Sequence, residues 1–341
     1  MTDFLRSAPV LLVLLTLSPH PARATEPFGQ VHASLVSLLT EQRGVRSLAL
    51  GSTGAASLYA ATTGHVNPAT VAWADATVLA TSRQQYVRPG DNPVIAYIDA
   101  RLLSGWSFTD ATTGDGWRLG GLLGYANEEL DPQIRRTIYL PDGTGDTFDQ
   151  DDSIYTALAA GSWTKSDFTI GAGVAAKYVD FDLPESGWAF DWGMLAALTI
   201  AQDGALIRPR VGLCASNLDD GFGSSNLAGE SRVGLGADFA SSPRSFGGRV
   251  VPVVAASLDY DYVTPSDDSG HAALGWELSF CDMIQGRIGL DDRDEANVDA
   301  WGLGLGWEFG RWMVQADYAH ESLGFGELGT DTFGVVAGAH F

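Results

Sequence analysis

The chain has 341 residues, 42 acidic against 20 basic side chains, a formal net charge of −22, and two cysteines. This balance excludes a nucleic-acid partner, because a phosphate backbone demands an excess of Lys and Arg. Two cysteines make no metal cage. In an exported chain Cys214 and Cys281 either join as a disulfide or stay as small core thiols, and the sequence leaves both open.

Met1 to Arg6 is followed by the apolar run Ala8 to Leu17 and by Ala22-Arg23-Ala24, which reads as a Sec signal peptide over residues 1–24. The run is too short for a membrane helix, which needs about 20 apolar residues. Residues 25–75 read as a mouth and plug segment. Val31, Leu35, Val36, Leu38 and Leu39 recur at helical spacing, and Gly44 marks a stop. Val45 to Asp75, VRSLALGSTGAASLYAATTGHVNPATVAWAD, has no strand period, and Asn67-Pro68 reads as a turn.

From Ala76 the chain becomes fourteen alternating segments separated by turn residues, each near the roughly 9 to 11 residues of a tilted membrane strand. Phe168, Ile170, Ala172, Val174, Ala176 and Tyr178 alternate with Thr169, Gly171, Gly173, Ala175 and Lys177. Trp301, Leu303, Leu305 and Trp307 alternate with Gly302, Gly304, Gly306 and Glu308. Such a period of two predicts one lipid-facing and one lumen-facing side. The fold class that follows is all-β, a 14-stranded antiparallel transmembrane barrel over residues 76–341. Gaps assigned to one rim are short, as at Lys165-Ser166 and Cys281-Asp282. Those on the other are long and acidic, with Asp142, Asp146, Asp149, Asp151 and Asp152, then Asp219-Asp220, Asp267-Asp268, and Asp291, Asp292, Asp294 and Glu295. No cluster has EF-hand spacing, so solvated acids are preferred to a Ca²⁺ site, and no metal or cofactor is expected.

The alternation points Lys177, Asp191, Arg208, Arg210, Glu277, Arg287, Glu308 and Asp317 into the lumen. An ion-pair network is the plain reading; the sharper one sets Arg208 or Arg210 against a carboxylate of a ligand or cargo. Pro209 and Pro252 fall inside predicted strands, where each deletes a ladder donor and makes either a bulge or a lateral gate. His320-Glu321-Ser322 resembles the His-x-Ser arrangement of outer-membrane lipid hydrolases, but no Asn follows in the usual place to orient the His, and Glu327 lies on the next loop. The last segment, DTFGVVAGAHF, ends on Phe341, as closing strands of bacterial outer-membrane barrels do. That resemblance implies that Phe341 is a signal for the insertion machinery.

The opening VRSLALGSTGAASLYA, then VNPATVAWA with Asn67, Pro68 and Ala69, resembles the PorV/PorQ family of outer-membrane proteins, within the long-chain fatty-acid transporter (FadL-type) superfamily. VGLCASNLDDGF, HAALGWELSFCDMIQGRIGLDD and VQADYAHESLGFG are similar to successive hairpins of that family. Thr70 stands where the family commonly has Gly. The resemblance implies a fourteen-stranded barrel whose N-terminal segment plugs the periplasmic side, in the outer membrane of a Gram-negative-type bacterium. It further implies a non-enzymatic role, supporting protein secretion or surface export, with a FadL-like conduit for hydrophobic molecules as alternative and a lipid hydrolase as the remote one. Implied partners are outer-membrane lipid, the insertion machinery, and secreted cargo or a hydrophobic ligand.

Overall fold

A sheet that turns apolar side chains to lipid must close, because a free edge would leave backbone N–H and C=O groups unpaired in hydrocarbon. The computed structural model describes residues 44–59, 64–74, 76–87, 95–109, 114–130, 151–180, 186–218, 229–246, 249–266, 269–293, 296–323 and 328–340. Its strands are β1 (Ala76–Val87), β2 (Ile95–Thr109), β3 (Gly116–Leu130), β4 (Asp151–Lys165), β5 (Phe168–Asp180), β6 (Gly187–Leu198), β7 (Ile200–Gln202), β8 (Ala205–Leu218) and β9 (Glu230–Ala240). They continue with β10 (Pro243–Phe246), β11 (Arg249–Pro252), β12 (Val254–Pro265), β13 (His271–Phe280), β14 (Ile284–Arg293), β15 (Ala296–Phe309), β16 (Trp312–Leu323) and β17 (Leu328–His340). Each wall strand pairs antiparallel with its chain neighbours, and β1 closes on β17 from Ala76↔His340 to Val87↔Gly329. β6 and β7 form one wall strand, and β10–β11 is a separate hairpin, so the wall is a closed 14-stranded barrel.

Both Ala76 and His340 lie at the rim that carries the short turns. Two of those turns have paired positive φ angles, Asp203/Gly204 at 53° and 81° and Cys281/Asp282 at 51° and 54°. This left-handed pair matches the right-handed twist of the flanking strands. Outward side chains are apolar: Leu305, Trp307, Phe333 and Leu123 are each exposed by about 60% or more. Among the described residues no helix is long and apolar enough to cross a membrane.

Four expectations are corrected. The sequence alternation reads the second segment as Pro93–Leu103; β2 instead runs on to Thr109, because Trp106 and Phe108 continue its outward row past Ser104 and Gly105. Asp291 and Asp292 belong to β14, not to a loop, and Asp291 turns inward to lie 3.3 Å from His271 Nε2. Pro252 is not in the wall: it pairs with Pro243 at the end of β10–β11, and Val253 separates it from β12. Asp151 and Asp152 begin β4 rather than ending a loop. Of the two states left open for the cysteines, the structure has the free one, with Cys214 buried in β8 and Cys281 in the β13–β14 turn.

Pro209 does sit in the wall. β8 pairs with β6 up to Ala197↔Arg210 and with β7 from Ile200↔Ile207, and the interruption falls opposite Pro209. A residue without an N–H cannot complete that ladder, which is why the wall strand splits at Thr199. The predicted helix over 30–39, the signal peptide, Phe341 and Glu327 lie outside the described residues, as do the acids of 131–150, 219–228, 267–268 and 294–295.

Candidate functional site

The barrel holds its own N-terminal segment. Within Gly44–Ala74 the described elements are a single helical turn α1 (Val45–Ala49) and a 3₁₀ turn (Pro68–Trp73). Asn67 starts the second. Its Oδ1 accepts the Ala69 N–H at 3.0 Å, and Pro68 occupies the first position, where a missing N–H costs nothing. Its Nδ2 donates to the Ala55 carbonyl and, at 3.1 Å, to the Met194 carbonyl of β6. One buried amide therefore ties two plug segments to the wall.

The plug backbone travels around the inner wall, and a glycine meets it on most strands it crosses. A methyl group would collide with Val45 if added at Gly334, with Ala49 at Gly302, and with Leu50 or Gly51 at Gly275 and Gly289. It would strike Ala55 at Gly212 and Gly234, Asn67 at Gly193, Pro68 at Gly173, Val71 at Gly120 and Ala74 at Gly105. Eight of these stand opposite one another in the sheet: Gly105↔Gly120, Gly173↔Gly193, Gly212↔Gly234 and Gly275↔Gly289. The alternation predicts inward glycines. What they leave room for, peptide backbone, is set by the plug.

From β8 round to β16 the wall grips the plug through charge. Arg46 of α1 bonds Glu277 at 2.9 Å; Glu277 bonds Arg287 at 2.6 Å; Arg287 bonds Asp317 at 2.5 Å. Burial works against the charge of Arg46, and Glu277, Tyr59 and Asp259 together more than offset it, raising the pKa above the ordinary arginine value. Arg210 donates to the Ala56 carbonyl at 2.8 Å and to Ser257 at 3.0 Å, and forms ion pairs with Asp238 at 2.9 Å and Asp259 at 3.1 Å. Asp261 accepts the Gly54 and Ala55 N–H groups at 2.8 and 2.9 Å, and Arg232, paired with Glu230, donates to the Ser52 carbonyl at 2.7 Å. Alternating signs let each buried charge meet an opposite one, which low-dielectric surroundings require.

The other predicted lumen charges also face inward. Lys177 pairs with Asp191 at 2.7 Å and donates to Asn217, whose own N–H reaches Asp191 Oδ1 at 2.9 Å. That N–H is freed by a bulge in the β6–β8 register, so Asp191 repairs a ladder defect. Arg208 donates to Thr199 at 3.3 Å beside the Pro209 interruption, and Glu308 lies 3.8 Å from His340 Nε2. Sequence reasoning missed Arg46, Arg232, Asp238, Asp259 and Asp261. Two signals were present: Arg46 is the one basic residue between Gly44 and Asp75, and SLDYDYV alternates Asp with outward Tyr.

On the β1–β5 side the contacts are mostly apolar, with Ser162 of β4 donating to the Ala72 carbonyl at 3.4 Å. Val71, Ala72 and Trp73 pack against Val78, Leu103, Leu122 and Leu158. Next to this patch is a lumenal cavity lined by His65, Arg101, Leu122, Leu158, Ala175 and Asp191. Arg101 Nη1 lies 2.8 Å from His65 Nδ1 there. Among the described residues no group of three His, Cys, Asp or Glu is arranged to hold a metal ion.

No protein-family model matches the chain. No curated protein matches it. Solved structures do. It is similar to the CymD monoaromatic hydrocarbon channel, at 11% identity over 88% of this chain and 97% of that one, with a TM-score of 0.51. It is similar to the ΔS2S3 mutant of the TodX monoaromatic hydrocarbon channel, at 13% identity over 87% and 99%, with a TM-score of 0.50. The P. putida toluene transporter TodX gives 14% identity over 89% and 99%, with a TM-score of 0.47. What the chain shares with the first two is a fold, the closed antiparallel barrel.

Proposed function

We propose that the chain is an outer-membrane conduit for small hydrophobic molecules, with residues 44–74 as its stopper. The observation that carries this reading is the apolar stretch of lumen wall from β1 to β5, against which Val71, Ala72 and Trp73 pack. A plain structural stopper needs no such lining, since the charged side already fixes it. The fold likenesses described above at TM-scores of 0.51 and 0.50 are to hydrocarbon channels, which favours this reading over the secretion role implied by the PorV/PorQ resemblance. An outer-membrane address in a Gram-negative-type cell, a cleaved signal peptide and recognition of Phe341 belong to the same proposal.

The test is uptake of a labelled monoaromatic hydrocarbon by cells with and without the gene, paired with small-molecule mass spectrometry on protein from native membranes. Faster uptake and a retained apolar ligand are expected. Equal uptake with no ligand overturns the conduit, and capture of an exported protein or translocon in that sample supports the secretion reading.

A further inference from the structure

The outer face of β16 and β17 carries polar residues at the rim away from the chain ends. His320 pairs across the sheet with Asp331, and Ser322 with Gly329, so all four share one lipid-facing surface. His320 Nδ1 lies 2.9 Å from Asp331 Oδ1, and the same oxygen accepts the Tyr318 hydroxyl at 2.7 Å. A carboxylate only accepts, so Nδ1 holds the proton and Nε2 presents a lone pair. The Cε1–Nε2 edge lies over Gly329: an added Cβ there would stand 3.2 Å from Cε1 and 3.8 Å from Nε2. Gly329 is directly opposite Ser322, so the serine and the free edge of the base flank the same glycine on one face of the sheet. Trp301, paired with His320 from β15, flanks the imidazole with ring centroids 5.8 Å apart. Trp301 also packs on Tyr318, which with its partner Phe333 stands one step nearer the membrane centre, with centroids 5.2 and 4.9 Å apart. Aromatic belts mark the depth where headgroups meet acyl chains, which is where lipid ester carbonyls lie.

We propose that Ser322, His320 and Asp331 form a lipid-facing serine hydrolase site that cleaves acyl esters of outer-leaflet lipid. Ser322 Oγ attacks the ester carbonyl while His320 Nε2 takes its proton; the alkoxy C–O bond breaks, and the alcohol leaves with that proton. Water, deprotonated by the same Nε2, then attacks the acyl-serine, the carboxylic acid departs, and the proton returns to Oγ. Asp331 is a positioning residue that fixes the tautomer. It supplies the orienting carboxylate for which the sequence offered Glu327. The proposal uses the membrane setting of the proposed function but not the lumen, so either can fail without the other.

The full chain, folded in vesicles as shown by its heat-modifiable gel mobility, is treated with a fluorophosphonate and separately assayed on phospholipid and on lipid A. Asp299 stands opposite Ser322, so the buffer contains Ca²⁺ and Mg²⁺ to screen it. Expected are a phosphonyl adduct on Ser322 and release of fatty acid from one of the two lipids, both lost in Ser322→Ala and His320→Gln. Asp331→Asn is expected to slow release by about 10²–10⁴-fold and move the acid limb of the pH–rate profile lower, with partial recovery in Asp331→Glu. Gly329→Val, which puts a side chain beside the free imidazole edge, is expected to lower release while gel mobility is unchanged. No adduct and no release above the Ser322→Ala level overturns the proposal, as does release that survives in Ser322→Ala.

Discussion

The two sides of the lumen hold the same plug by different physics. From β8 to β16 the wall offers arginines and carboxylates that reach plug side chains and carbonyls, as Arg46–Glu277 and Arg210–Ala56 show. From β1 to β5 it offers Val78, Leu103, Leu122 and Leu158, which touch Val71, Ala72 and Trp73 without direction. Charge fixes position but penalises any break, because an unpaired buried ion is costly. Apolar packing is tolerant and can exchange one greasy partner for another. The first side therefore anchors the plug, and under the proposed conduit function the second is where a hydrophobic guest would enter.

The largest effect is expected from Arg46→Ala, which removes one of the two arginines bound to Glu277 and should cost about 3 kcal/mol by urea unfolding. Hydrogen exchange on the same variant sharpens the contrast: residues 44–59 should lose protection while 64–74 keep theirs. Loss in both would show the plug to be one cooperative unit. Gly212→Val comes next. It drives a side chain into the Ala55 backbone and should destabilise by about 1–3 kcal/mol, with raised single-channel conductance as the plug is displaced. Val71→Ala on the apolar side should cost about 1.5 kcal/mol for two lost methylenes and enlarge the lumenal space without opening it. His340→Ala, removing a half-exposed partner 3.8 Å from Glu308, should change stability by less than about 1 kcal/mol.

The barrel was legible because its rule is local. Phe168 to Tyr178 and Trp301 to Trp307 write the lipid face into every second residue, and the short turns fix the shared rim of both chain ends. The inward charges followed from the same parity. Their partners did not, since Arg46 and Glu277 are 231 residues apart and no pattern links them. Pro209 was readable as a broken ladder because a missing N–H is a property of the residue. Pro252 was misplaced because a hairpin at the rim and a strand in the wall share the same apolar spelling, RVVPVVAAS.

The sequence by itself determined a closed cylinder, its strand number, its greasy outside and the side chains that face in, because period-two alternation needs only neighbours along the chain. The tertiary structure decided what those faces meet. Plug backbone lies against the glycines, one side of the lumen is ionic and the other apolar, and Asp331 stands beside His320. Each of these joins residues from different strands, and their distances exist only after the sheet has closed with a definite register.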